Sequence, residues 1–342
     1  MTKRPGSFLL VVVGIAILIC GCVVSPRRNS VNRGSTGKLY VVTAGSILRF
    51  GGALQATANV TPEATITGSQ TQISAPQRIL LDVPNNRLLV ANQGGASILV
   101  FLNASAISGN VGPQAALTST GNMLAPVDLA IDTTTGRDLL FVADGQNVLV
   151  FSAQSTLSGN LNNAPVRIIN FSFPIGAILL DVANDRMFVA DSAGNAINIL
   201  PHASTANGAA AGVTIISGTS TLLQRPSGLA LDTNGRLIVS NLTGPTITIF
   251  PSSVIPAGGN VAPVASLAGS NTRLTAPGQM VFNSSAGSSG ELYVADNLAA
   301  SILIFLNPGS FSLNDNLTPT RTITGSNTGL TTVNGVALDT TR

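Results

Sequence analysis

The chain has no tryptophan, one histidine, two cysteines and two tyrosines among 342 residues. Both cysteines, Cys20 and Cys22, lie in the N-terminal segment. The rest of the chain therefore holds neither a disulfide framework nor a thiolate metal site. With His202 as the sole histidine, Ser-His-Asp catalysis would rest on one loop residue after Pro201, where a surface position is expected. An aromatic content of 4 % argues against a base-stacking surface and weakens a sugar-stacking one. Charged residues make up only 9 %, against about 25 % in an average soluble domain. That scarcity is not disorder, because 44 % of the residues are apolar. Neither a phosphate-cradling glycine loop nor a dinucleotide fingerprint is present.

The charge is unevenly placed. The sequence pI is about 9.3, yet Lys3, Arg4, Arg27, Arg28 and Arg33 all precede residue 37 and no acid does. Of 17 basic residues that leaves 12, against all 14 acidic ones, in residues 37–342. A nucleic-acid footprint needs a clustered basic face. The body is slightly acidic, so nucleic acid is not an expected partner.

What the N-terminus does contain is an address. Lys3 and Arg4 precede an apolar run over residues 8–20 that is too short to span a bilayer comfortably. This is the pattern of a secretory signal. It ends in Ile19-Cys20-Gly21-Cys22, which resembles the bacterial lipobox. Small Gly21 before Cys22 makes Cys22 the expected lipidated residue, whereas bulky Ile19 precedes Cys20. Residues 1–21 then read as a lipoprotein signal peptide and residues 22–36 as the lipidated Cys and a flexible, polar tether. An uncleaved anchor or an ordinary cleaved signal would also place the body outside the cytoplasm. The expected location is the cell envelope, with the membrane as a partner through the lipid.

The body repeats itself. Leu89-Val90-Ala91-Asn92, Phe141-Val142-Ala143-Asp144, Phe188-Val189-Ala190-Asp191, Ile238-Val239-Ser240-Asn241 and Tyr293-Val294-Ala295-Asp296 follow a degenerate first copy, Tyr40-Val41-Val42-Thr43. The spacings are 49, 52, 47, 50 and 55 residues, a period that marks repeat architecture. Each copy opens with a Pro-led strand, over residues 76–82, 126–132, 174–181, 226–232 and 277–283. The Val-Ala-Asp strand follows a turn. A third strand ends in Phe101, Phe151, Leu200, Phe250 or Phe305, with Phe50 in the first copy. A Thr- or Ile-rich strand comes last, beyond an Asn-x-Pro or Asn-x-x-Pro turn. Four short strands in about 50 residues, without helical periodicity, form the unit of a β-propeller blade. Residues 333–339 are an opening strand with almost nothing after them, and the copy that begins at Gly37 lacks one. Joined, they complete a sixth blade and leave no loose end. The expectation is an all-β, six-bladed β-propeller of four-stranded blades over residues 37–342, closed by its N- and C-terminal strands.

These residues resemble the NHL-repeat family of six-bladed propellers, through residues 226–232 (PSGLALD), residues 292–296 (LYVAD) and the closure. The resemblance implies the fold. For function it leaves open protein-binding scaffolds, a lyase and, more distantly, gluconolactonase-like metal hydrolases. Those hydrolases use a Glu with Asn and Asp around the channel. Glu63 in an outer-strand region and Glu291 beside a Gly-Ser loop do not match that pattern.

Two sets of residues are candidates for chemistry. Asn92, Asp144, Asp191, Asn241 and Asp296, with Thr43, should ring one face. Their recurrence in every blade favours turn capping over a cation ring. The glycine of the Pro-x-Gly opening, present as Gly176 and Gly228 and matched by Gly335, is replaced by Arg78, Asp128 and Gln279. Where a repeat departs from itself a ligand site is expected, so these three are the candidate ligand-binding residues at the channel mouth. The competing reading is an Arg78–Asp128 salt bridge that plugs the channel. No catalytic residue, metal ligand or cofactor is assigned. The expected role is that of a monomeric binding or protein-interaction module at the envelope. The alternative is a metal-dependent lactonase-like hydrolase or lyase with its site at the central channel.

Overall fold

A computed structural model describes residues 1–2, 37–286 and 290–342. The signal, Cys22 and the tether of residues 22–36 lie outside the described residues. Among the described residues no helix is long and apolar enough to cross a membrane.

Six antiparallel sheets form the body. Blade 1 comprises Pro76–Asp82, Arg87–Asn92, Ser97–Leu102 and Ala115–Thr118. Blade 2 comprises Pro126–Asp132, Leu139–Asp144, Asn147–Ser152 and Arg167–Asn170. Blade 3 runs through Ile175–Asp181, Arg186–Asp191, Ala196–Pro201 and Thr214–Ser217. Blade 4 runs through Pro226–Leu231, Leu237–Asn241, Thr246–Phe250 and Ala265–Leu267. Blade 5 contains Pro277–Asn283, Glu291–Asp296, Ser301–Leu306 and Arg321–Ile323. In blade 6 the innermost strand is Gly335–Asp339, followed by Lys38–Val42, Ile47–Gly51 and Ala64–Ile66. Lys38 pairs with Asp339 and Val42 with Gly335, so the two ends of the chain share one sheet as the sequence requires.

The uninterrupted apolar runs follow from burial on both faces of each blade. Alternate residues of one strand feed different cores. Leu89, Ala91, Ile98 and Val100 pack toward blade 2, against Leu140, Val142, Leu149 and Phe151. Leu88, Val90, Leu99 and Phe101 pack toward blade 6, against Tyr40, Val42, Ile47 and Ile66. Each fully buried Leu or Phe contributes roughly 1.5–3 kcal/mol of apolar transfer.

Outer edges are covered by a device that the sequence did not announce. The long loop of each blade lays a short parallel segment on the outermost strand of the preceding one. Gly159–Asn162 pairs with Ala115–Thr118, and Gly208–Ala209 with Arg167–Asn170, which makes those sheets five-stranded. Single parallel bridges do the same at Ile66–Gly109, Ile216–Gly259, Leu267–Asp315 and Ile323–Ala58. All six edges are thus partly paired, and open hydrogen-bonding edges are a liability that folded sheets avoid.

A side-chain clasp accompanies these bridges. Asn59, Asn110, Asn260 and Asn316 each accept, through Oδ1, the backbone N–H of a residue in the neighbouring blade: Asn327, Gln70, Ser220 and Asn271 at 2.7–2.8 Å. Each Asn sits where a β-carbon at Gly325, Gly68, Gly218 or Gly269 would have to be. Those glycines have φ between 99° and 120°, so glycine is required twice over. Arginines stitch five of the six junctions. Arg49, Arg87, Arg167, Arg236 and Arg321 each donate to loop carbonyls of the next blade.

Candidate functional site

Antiparallel pairing puts the start of every innermost strand and the end of every second strand at the same end of the ring. Pro76 faces Asn92, Pro126 faces Asp144 and Pro277 faces Asp296. The ring of Asn and Asp residues is therefore real, and its side chains are occupied with turns. Asn92 accepts from Ser74 N–H, and Asp144 from Leu124 and Ala125 N–H. Asp191 accepts from Gly194 N–H, and Asn241 from Gln224 N–H. Asp296 accepts from the Thr275, Ala276 and Ala299 N–H groups. Each side chain closes its own turn or ties down the linker into a Pro-led strand. Among the described residues no group of three or more His, Cys, Asp or Glu is placed to hold a metal ion. His202 is exposed, in a turn with φ of 51°.

The three departures from the Pro-x-Gly opening come together. Each of the five Pro-led blades has a bulge at this point of its innermost strand. A bulge re-aims a side chain, and here it brings Arg78, Asp128 and Gln279 to the wall of one central cavity of about 290 Å3. The glycines of the remaining blades are dictated by close approach rather than by φ. A β-carbon at Gly228 would overlap the Gly278 carbonyl oxygen, and one at Gly335 would lie 2.5 Å from Gln279 Oε1.

Arg78 and Asp128 do not form the direct salt bridge of the competing reading. The Arg78 guanidinium crosses the axis from blade 1, donating to Ser227 O of blade 4 at 2.7 Å and to Asn334 O before blade 6. Asp128 turns to the backbone, accepting Leu129 N–H on Oδ1 and Ile178 N–H of blade 3 on Oδ2, both at 2.9 Å. Gln279 bridges blades 6 and 1. Its Oε1 accepts Val336 N–H, and its Nε2 donates to Ile79 O, both at 3.0 Å. Gln279 and Arg78 thus tie blades 5, 6, 1 and 4 together, and Asp128 ties blade 2 to blade 3, all at this end of the channel.

Arg78 is partly buried and lines the cavity. Burial lowers its pKa, and the charge of Asp128 opposes that shift. Burial likewise raises the pKa of Asp128, opposed by Arg78 and by the two backbone N–H groups. The two charges therefore support each other through space without touching. Arg78 Nε–H is buried and has no partner.

At the opposite end of the strands lies a second recurrent set that the sequence reading missed. Asp82–Arg87 (2.5 Å), Asp132–Arg137 (3.1 Å), Asp181–Arg186 (2.8 Å) and Asp232–Arg236 (2.5 Å) pin the first turn of their blades, and Asp339–Arg342 (3.0 Å) holds the residues after the innermost strand of blade 6. The signal was present as an Asp followed three to five residues on by an Arg. Blade 5 inverts the pattern. Asn283 donates to Glu291 at 3.2 Å, and Arg321 supplies the cation at 2.9 Å while stacking over Tyr293. Glu291 is thereby built into a buried network, and Glu63 is held by Lys38 and Arg49 at 2.6 Å each. Neither acid lines the channel.

No family model and no curated protein matches the chain. Solved structures do. A chain in the crystal structure of a nidogen/laminin complex is similar over 88 % of this chain and 98 % of its own length, with a TM-score of 0.57 and 15 % identity. The β-propeller domain of Cps50 (Swd1) from Myceliophteria thermophila matches over 68 % of this chain and 65 % of its own length, with a TM-score of 0.46 and 13 % identity. At such identities likeness concerns the fold alone. The chain is an all-β, six-bladed propeller.

Proposed function

We propose that this chain is a protein-interaction module, held at the outer side of a membrane by lipid on Cys22, with an NHL-like propeller as its binding head. The observation that carries the reading is the way the three candidate side chains are used at the channel end. Arg78, Asp128 and Gln279 are spent on joining the innermost strands, so at that face of the ring the departures from the repeat serve the fold. Large apolar side chains stand exposed on that face. Leu124 and Leu222 lie in linkers into Pro-led strands and Leu298 in a turn after Asp296, with 70 %, 42 % and 77 % of their surface open. Such residues are candidate anchors for a protein partner. The nidogen/laminin neighbour, itself part of a protein complex, is consistent with this use of the fold.

Two measurements test the reading. Cys22→Ser should move the protein from the detergent-rich to the aqueous layer in detergent phase separation; unchanged partitioning would refute the anchor. A photocrosslinking residue at position 298 should give discrete adducts in intact cells, lost on Leu124→Asp, whereas one at position 306 on the opposite face should give none. Equal labelling from both faces would refute the assignment of the surface.

A further inference from the structure

The place where the chain enters the ring sets which end can meet a membrane. Gly37 N–H donates to Arg342 O at 2.7 Å. Lys38 opens the second strand of blade 6 opposite Asp339, and that strand runs toward the end that carries the Asn and Asp ring. Gly37 and Arg342 therefore lie at the other end, with the Asp–Arg pairs. The 15 steps of chain from residue 22 to residue 37 span at most about 50 Å when fully extended. A flexible tether of that length, as its polar sequence reads, has a root-mean-square reach of roughly 20 Å. A compact body of about 300 residues is on the order of 50 Å across. Lipid on Cys22 would thus hold the Gly37 end beside a bilayer with slack to spare. To turn the Leu124, Leu222 and Leu298 end to it, the tether would have to pass round the rim near its full extension.

The Gly37 end carries apolar side chains of its own. Leu102 and Leu306 end the third strands of blades 1 and 5. Val166 and Val264 precede the fourth strands of blades 2 and 4, their N–H groups donating to Val150 O and Ile249 O. The four are 40 %, 39 %, 52 % and 46 % exposed in that order. Third strands run away from the Asn and Asp ring and fourth strands run back toward it, so all four stand at strand ends near one level, in four different blades. Spread in this way they offer several contacts to a flat surface rather than one compact patch to a protein. Asp82, Asp132, Asp181, Asp232, Glu291 and Asp339 at this end are each held by an arginine, so they do not meet an anionic surface as bare charges. The tether adds Arg27, Arg28 and Arg33 and no acid, which such a surface attracts.

We infer that this end of the propeller seats on the lipid bilayer, with Leu102, Val166, Val264 and Leu306 at the headgroup level and the Leu124 end turned away. The inference rests on the lipid anchor at Cys22 proposed above. Partly buried apolar side chains and an acyl chain act on one molecule, so each strengthens the hold of the other.

The lipid-carrying protein, purified from membranes and reconstituted in vesicles of phosphatidylethanolamine and phosphatidylglycerol, tests this. Leu102→Cys, Leu306→Cys and the control Leu298→Cys each receive one fluorophore. On the anchor reading no native thiol competes, because Cys20 leaves with the signal and the Cys22 thiol carries the lipid. Circular dichroism establishes that each variant is folded. Flotation of the unlabelled wild type comes first: protein that does not float with the vesicles refutes the anchor, and the inference with it. In floated samples, spin-labelled lipid should quench the fluorophores at 102 and 306 at least threefold more strongly than the one at 298. Quenching at 102 or 306 that does not exceed that at 298 overturns the inference and leaves the anchor standing. So does a discrete protein adduct from a photocrosslinker at 306 in intact cells, which would give this end to a protein partner instead.

Discussion

Removing Arg78 should expose how the channel end is held. In Arg78→Met the partly buried carbonyls of Ser227 and Asn334 lose a charged donor. A hydrogen bond to a charged group is worth about 1.5–3 kcal/mol, and stripping one partner from a buried charge costs about 3–5 kcal/mol. Because Arg78 and Asp128 do not touch, and the cavity lets water approach the vacated space, the lower end applies: about 3 kcal/mol at pH 7. The pH dependence carries the sharper test. Burial raises the pKa of Asp128 above its ordinary 3.8, and Arg78 opposes that rise. A group with a raised native pKa contributes stability that is present at low pH and lost as pH climbs through that native pKa. Without Arg78 the native pKa moves higher still. The deficit of Arg78→Met should therefore shrink as pH falls from 7 toward 5, and Asp128→Asn should flatten the profile. Urea unfolding of the two single variants and the double variant, at both pH values, gives the coupling energy. A value of about 1–3 kcal/mol at pH 7 is expected for charges that share one site. Additivity within about 0.5 kcal/mol, or a deficit that grows toward acid, would refute the reasoning.

Other perturbations follow from the same contacts. Asn316→Ala removes one inter-blade cap and should cost about 1 kcal/mol in urea, whereas Gly269→Ala, with φ of 99° and Asn316 Cγ 2.7 Å from the new β-carbon, should cost more; an equal loss would argue against the clasp. Arg321→Met leaves Glu291 buried beside Tyr293 and should destabilise by about 3–5 kcal/mol, with recovery in Arg321→Met/Glu291→Gln as the check. Asp132 and Asp339 are pushed up by burial, but hydrogen bonds from Thr134 and Arg137, and from Thr341 and Arg342, outweigh it and leave both pKa values below 3.8. Their stabilisation is therefore present above pH 3.8 and lost as pH falls through their native pKa values. Asp339→Asn should lower thermal stability at pH 7 and narrow its difference from wild type in acid; a constant difference would contradict the assignment.

How much of this was legible in the chain depends on the length scale of the signal. The blades were legible because each strand carries its own periodicity and every copy repeats it. The closure was legible because residues 333–339 and the copy at Gly37 are complementary fragments. Junctions between blades were harder, since their partners lie about 40 residues or more apart and their residue types are common ones. Asn110 beside Gly68, or Arg87 beside Gln154, carries no local pattern that separates it from an ordinary turn or surface residue. Comparing copies partly overcame this at Arg78, Asp128 and Gln279, because a position that must be glycine in three blades and is not in the others has to resolve the same crowding differently. What comparison could not supply was direction. Arg78 could reach its neighbour Asp128 or the far side of the ring, and the sequence offers only the neighbour as a named partner. The structure takes the far side because two carbonyls, Ser227 O and Asn334 O, need a donor there, while Asp128 already has two backbone N–H groups at hand. At this site the satisfaction of backbone groups takes the place of the direct pairing of opposite charges. The arginines of this charge-poor chain likewise often end on carbonyl oxygens of the adjacent blade. With only 9 % charged residues to place, most of the body's cations serve the ring itself, and few remain to advertise a ligand on its surface.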